Sequence, residues 1–287
     1  MVNEALNENG TFRNSVFFRV LGTDFLPLSF AAAAAADPSA KLYYNDFNLE
    51  TSPRKADGAA RIVSIIRNGS LAFPGARIDG VGFQAHLRVG QTPTQANLTG
   101  ILKRFVDLGV EVALTELDVA HTSLPAGEEA VKQQGADYVA AVGACLAVER
   151  CVGVTVWQFT DRYSWIPGTF PGLGEACLFG EGMERKEAYF RVEGLLLAVV
   201  GSVRAVVGSG GGRGGGVGGV GGNVSFVAPE GGGVAGGVGT LGSGRGSGSD
   251  DAATAALTSG GLSVVLGVAG ARGVYWVLGV VGVMVAL

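Results

Sequence analysis

Two histidines and three cysteines in 287 residues are too few for a convincing zinc centre, and their spacings match no common metal-ligand pattern. Basic residues are not in excess either. Against 25 Asp and Glu there are 21 Lys and Arg, so the net charge of -4 gives no electrostatic reason to expect nucleic acid. No basic and then apolar leader opens the chain, which begins Met1-Val-Asn-Glu-Ala-Leu-Asn-Glu. No glycine-rich phosphate loop follows a strand-like segment. A GxGxxG match at 214–219 lies in low-complexity sequence with no strand before it.

What the chain has in plenty is glycine, unevenly spread. Of 49 glycines, 29 fall after position 200. Residues 198–261 therefore read as a Gly-rich flexible linker, because such composition cannot bury enough surface to offset its ordering entropy. Arg213 and Arg245 among those glycines only faintly suggest an RNA-binding segment. Residues 262–287 turn apolar again, the last fifteen without a charge, which suits a glycosylphosphatidylinositol attachment signal. A C-terminal membrane helix interrupted by Arg272 is the alternative. Four Asn-X-Ser/Thr sequons, at Asn9, Asn68, Asn97 and Asn223, lean towards an extracellular protein. Cys145 and Cys151 are spaced to close a small loop in an oxidising compartment, or are two buried thiols.

Between residues 41 and 160 strand-like and helix-like segments alternate. Strands are expected over 41–47, 79–86, 110–119 and 153–160. Helices are expected over 57–67 (Ile62, Ile65, Ile66), around Leu98, Ile101, Leu102 and Phe105, and over 128–146. Gly109 stands where a helix C-cap belongs. Repeated units of this kind imply a parallel sheet covered by helices. Each expected strand is apolar early and polar at its C-terminal end: Asn45 and Asp46, Gln84 and His86, Glu116 and Asp118, Trp157 and Gln158. In a (β/α)8 barrel that end carries the active site. A carboxylate such as Glu116 among Val, Ala and Leu is costly to desolvate without partners, so it is either a structural ion pair or a working group.

Several of these runs have a specific likeness. Val2-Asn-Glu-Ala5 resembles the end of the acid/base motif of glycoside hydrolase family 10 xylanases, and Thr115-Glu-Leu-Asp118 resembles their nucleophile motif. Leu42-Tyr-Tyr-Asn-Asp-Phe-Asn-Leu49, Gly82-Phe-Gln-Ala-His86 and Val156-Trp-Gln-Phe-Thr-Asp161 resemble the family's other strand ends, in the family's order. Leu178-Phe through Lys186-Glu-Ala-Tyr189 is similar to its closing helix entry. The likeness runs over residues 1–197.

The resemblance implies a partial (β/α)8 TIM barrel, from the end of strand 4 through strand 8, and a retaining endo-β-1,4-xylanase. It implies Glu116 as nucleophile and Glu4 as acid/base, with His86 and Asp118 orienting Glu116. Asn3, Phe47, Gln84, His86, Trp157 and Trp165 are implied as substrate-binding residues, and Cys145–Cys151 as a disulfide found in fungal members. No cofactor or metal is expected. Xylan or a related β-1,4-linked polysaccharide is the expected partner. The molecule is expected to be a monomer, extracellular and held at the membrane or cell wall through its tail. Phe47 stands where the family usually has Tyr, and Glu187 where Pro is common. Met1 falls at a Val position of the fourth-strand motif, so strands one to three are expected to be missing and closure of a barrel by this chain alone to fail. On that basis the alternative is a catalytically inactive, surface-anchored remnant that at most binds polysaccharide.

Overall fold

The computed structural model describes residues 2–209; the expected Gly-rich linker beyond that point and the apolar C-terminal segment lie outside the described residues. Five parallel strands form one sheet: β1 (Tyr43–Asp46), β2 (Gly80–Phe83), β3 (His86–Arg88), β4 (Glu111–Ala120) and β5 (Cys151–Val156). β1 pairs with β2, β2 and then β3 pair with successive stretches of β4, and β4 pairs with β5. Ahead of them, residue 3 adds a parallel bridge to Asn45, with Glu4 N–H donating to Asn45 O at 2.9 Å. Neighbours in space thus follow chain order without the reversal that marks a doubly wound sheet, and the result is an arc of a (β/α)8 barrel.

Helices fill the crossovers: α1 (Val16–Leu21) and α2 (Phe25–Ala36), α3 (Pro53–Gly69), α4 (Gln95–Asp107) and α5 (Glu128–Leu146), with a single-turn α6 (Ile166–Thr169) and a final α7 (Glu187–Ser209). Their ends are written in local chemistry. Ser52 accepts the Lys55 N–H at the start of α3, where Pro53 takes the first helical position. Thr94 does the same for Asn97 in α4, and Gly109 beyond its end adopts φ +80°, a conformation a Cβ would strain. Of the expected stripe of α3, Ile62 and Ile66 are buried and Ile65 only partly so, while Val63 joins them in the core that also holds Val81, Phe83 and Phe105. Each such side chain contributes about 1.5–3 kcal/mol relative to exposure. The run Val16–Ala36 is apolar and long enough, by composition alone, to cross a membrane. Here it breaks at Gly22 (φ +58°), and Phe25, Leu26 and Phe30 of α2 are buried in the core.

Two expected strands differ in extent. The 79–86 segment is split by Ala85 at φ +61°, which ends β2 and restarts pairing as β3. The 153–160 segment begins earlier, at Cys151, and stops at Val156, because Gln158 at φ +63° turns the chain out of the sheet. The helices α1 and α2 carry no periodic signal strong enough to have been anticipated; α7 runs through the expected domain boundary at 197. Cys145 and Cys151 form a disulfide between the end of α5 and the start of β5, and Cys177 is free and buried.

Candidate active site

The strand ends converge on a cleft of about 990 Å³. Glu4, Phe47, Gln84, His86, Glu116, Asp118, Trp157 and Trp165 all line it, so eight residues singled out from sequence meet in one place. Asn3 stands beside them, bonded into the same network. Arg13, Phe170 and Leu173 also line the cleft and were not anticipated; each lies in a loop or helix start where neither periodicity nor a motif marks it.

Asn45 organises the centre. Its side-chain nitrogen donates to Asn3 Oδ1 at 2.9 Å and to Glu116 Oε1 at 2.8 Å. The Thr115 hydroxyl donates to Asn45 Oδ1 at 2.6 Å, which fixes the amide so that its NH₂ faces the two acceptors. The packing is close enough to require glycine opposite: a Cβ on Gly82 would lie 2.4 Å from Asn45 Oδ1 and 2.8 Å from Thr115 Cγ2. The strand-end position of Asn45 was legible; its bridging role was not.

Glu4, at φ +52°, is held from three sides. Gln84 Nε2 donates to Glu4 Oε1 at 3.1 Å, Asn3 Nδ2 reaches the same oxygen at 3.1 Å, and Arg13 Nη1 lies 3.3 Å from Oε2. Its carboxylate keeps a third of its surface open to solvent, 34%, against 12% for Glu116. Glu4 is therefore the more accessible group, and Glu116 the one enclosed.

His86 joins the enclosed side to a second carboxylate, with Nε2 3.4 Å from Glu116 Oε2 and Nδ1 2.9 Å from Asp118 Oδ2. Burial alone would pull the imidazole pKa down. The hydrogen bonds and charges of Asp118 and Glu116 outweigh it and lift the pKa to about 9, so the ring is an imidazolium donating to both. Burial pushes the Asp118 carboxyl up, against the His86 bond and charge. Trp165 Nε1 also donates to Asp118 Oδ2, at 3.0 Å, and its ring stands 4.8 Å from His86; Trp157 lies edge-on to His86 at 6.4 Å. Gln158 steadies this wall, accepting from Trp165 N–H at 2.8 Å and donating to Tyr163 O at 2.7 Å.

The other end of the cleft is built on a buried lysine. Lys55 Nζ lies 3.0 Å from both Asp46 Oδ1 and Glu8 Oε1 and 3.2 Å from the centre of the Phe47 ring, with no exposed surface. Arg13 stands over the same ring at 5.3 Å. Asp46 further accepts from the Tyr44 hydroxyl, which in turn accepts Ala5 N–H at 3.2 Å. This chain of contacts ties residues 2–6 to β1. Among the described residues no group of His, Cys, Asp and Glu is placed to hold a metal ion. The site offers one enclosed and one accessible carboxylate on a cleft with an aromatic wall, which is a layout for acid–base and nucleophilic chemistry on a polar ligand with flat faces.

Residues 1–194 match the family model described as Glycosyl hydrolase family 10. The chain is 58% identical over 207 residues to endo-1,4-beta-xylanase 5 of Pyricularia oryzae, covering 72% of this chain and 50% of that protein. With endo-1,4-beta-xylanase 1 of Humicola insolens it shares 54% over 196 residues, 68% of this chain and 44% of the relative. Among solved structures, Penicillium canescens endo-1,4-beta-xylanase XylE superposes with a TM-score of 0.63 at 40% identity, over 67% of this chain and 58% of that one. Native xylanase 10B from Thermotoga maritima gives 0.65 at 31% identity, over 70% and 60%. The chain spans about half the length of the curated relatives it matches. By the family model, the identities and the shared arc of barrel, this chain belongs to glycosyl hydrolase family 10.

Proposed function

We propose that the polypeptide hydrolyses internal β-1,4-xylosidic bonds of xylan with retention of configuration. The observation that carries this reading is the junction of Glu4 and Glu116 through Asn3, Asn45 and Gln84 in one cleft. Glu116 attacks the anomeric carbon as the glycosidic C–O bond breaks, giving a glycosyl ester, while Glu4 transfers its proton to the departing oxygen. Glu4 then takes a proton from water, whose oxygen attacks the same carbon and releases Glu116. Such double displacement needs carboxyl groups about 5–5.5 Å apart.

The imidazolium of His86 stands against Glu116 Oε2 and so orients the nucleophile, and Asp118 fixes that ring. Asn3, held by Asn45 beside Glu116, is the residue read as bonding the sugar 2-hydroxyl. Trp157 and Trp165 form one stacking wall of the cleft and Phe47 stands near the other end. The reading takes residues 1–197 as the catalytic segment, acting as a monomer without a cofactor. Secretion and surface anchoring through residues 262–287 belong to the same reading; the sequons, the Cys145–Cys151 bond and the apolar tail support them.

The test is reducing-end release from xylan by the full chain and by Glu116→Ala. A second protein, in which residues 1–194 replace the matched segment of the Pyricularia oryzae relative, separates the site from the fate of this chain by itself. Turnover lost in Glu116→Ala supports the assignment; turnover that survives it sinks the assignment. Binding to insoluble xylan without turnover in either protein would favour a polysaccharide-binding role instead.

A further inference from the structure

Glu50 is a carboxylate with no part in the chemistry above, yet it is only 3% exposed. It follows β1, and its Oε1 accepts the Ala85 N–H at 2.9 Å. Ala85 is the residue that splits the segment between β2 and β3, at φ +61° and 1% exposed. A left-handed Ala costs about 1–2 kcal/mol, so something must hold it there.

The backbone of this turn is fully bonded in a telling way. Gln84 N–H donates to Asp46 O, Gln84 O accepts from Glu116 N–H, and Ala85 O accepts from Asp118 N–H. The Ala85 N–H alone is served by a side chain, that of Glu50. On one side of Ala85 stands Gln84, whose amide touches Glu4; on the other stands His86, whose ring touches Glu116 and Asp118. One buried carboxylate therefore sits behind the peptide that aims contacts at both candidate catalytic groups.

We propose that Glu50 is a positioning residue: by accepting the Ala85 N–H it holds the left-handed turn that sets Gln84 against Glu4 and His86 against Glu116. The charged groups that face it are His86 on β3 and Asp46 on β1, with Lys55 of α3 paired behind Asp46. Burial in that pocket raises the Glu50 pKa to about 7, so it is held as an acid over much of the acidic range. Either protonation state retains an acceptor for Ala85. A glutamine does as well, and an alanine does not.

The kinetic part of the test rests on the catalytic reading of Glu4 and Glu116; the magnetic-resonance part does not. The protein has only two histidines, so the ring titration of His86 is separable from that of His121 in the full chain. Glu50→Ala is expected to lower the His86 pKa by at least about one unit as its ring drifts from Glu116 and Asp118, with Glu50→Gln within about half a unit of the parent. Where the parent turns over, Glu50→Ala should lose about tenfold or more in kcat per folded molecule with KM within about threefold, and Glu50→Gln should restore it. Should Glu50→Ala fold poorly, adding Ala85→Gly, which takes φ +61° freely, is expected to recover folding. An unmoved His86 titration in Glu50→Ala overturns the proposal. So do equal losses in Glu50→Ala and Glu50→Gln, or an Ala85→Gly substitution that fails to help.

Discussion

The side-chain nitrogen of Asn45 donates at once to Asn3 Oδ1 and to Glu116 Oε1, at 2.9 and 2.8 Å. Residues from the start of the chain, from β1 and from β4 are thereby held on one amide. That amide is itself fixed by the Thr115 hydroxyl. A hydrogen bond to a charged group contributes about 1.5–3 kcal/mol, so Asn45→Ala should lower kcat/KM on xylan about 10- to 100-fold. Thr115→Val, which only frees the amide to turn over, should cost less. A steady-state comparison of the two variants checks the order.

The two carboxylates should fail differently. With an aryl glycoside whose leaving group needs no proton, Glu4→Ala keeps its first step and accumulates glycosyl-enzyme, whereas Glu116→Ala loses the step outright. Added azide should restore turnover to Glu4→Ala, giving a glycosyl azide of retained configuration. Product stereochemistry by NMR decides it; an inverted azide in Glu4→Ala would mean that the roles are assigned the wrong way round.

Stability should decline from pH 5 to pH 9.5 in two steps of the same sign. Between its ordinary 4.5 and about 7, Glu50 keeps in the folded state a proton that the unfolded chain has released, so stability falls as pH rises. The His86 contribution is full below its ordinary 6.5 and is lost as pH rises through about 9. Each step is on the order of 3 kcal/mol. Urea denaturation across this range should show the lower step vanish in Glu50→Gln and the upper step vanish in His86→Gln.

Lys55 has no exposed surface and serves Asp46, Glu8 and the face of Phe47. Lys55→Met leaves Asp46 buried without its cation, which should cost about 3–5 kcal/mol. Pairing it with Asp46→Asn should return much of that loss, since the buried charge then disappears from both sides. Denaturant midpoints of the single and double variants measure the coupling.

Much of this molecule was legible in the sequence. The bounds of α5 (Glu128–Leu146), the buried stripe of α3 and the polar strand ends follow from periodicity, and periodicity follows from which side chains water excludes. The motif letters around Glu4 and Glu116 indicated the family. Three features resisted. The helices α1 and α2 pack an almost uninterrupted apolar run that has no period to read. Lys55 looks like any solvated helix lysine until Asp46 and Glu8 close around it. The left-handed Ala85 and Gln158 follow from no residue preference and are imposed by their surroundings.

The sequence by itself determined most of the strands and helices between residues 41 and 160, and which carboxylates stand at strand ends. Those are short-range properties of side-chain size, polarity and spacing. Only the tertiary structure decided which groups meet. Asn45 finds partners 42 and 71 positions away, and Gln84 finds Glu4 at a separation of 80. Such pairings exist because parallel strands bring their C-terminal ends to one rim, where burial makes each unpaired polar group expensive and so favours arrangements in which most are bonded.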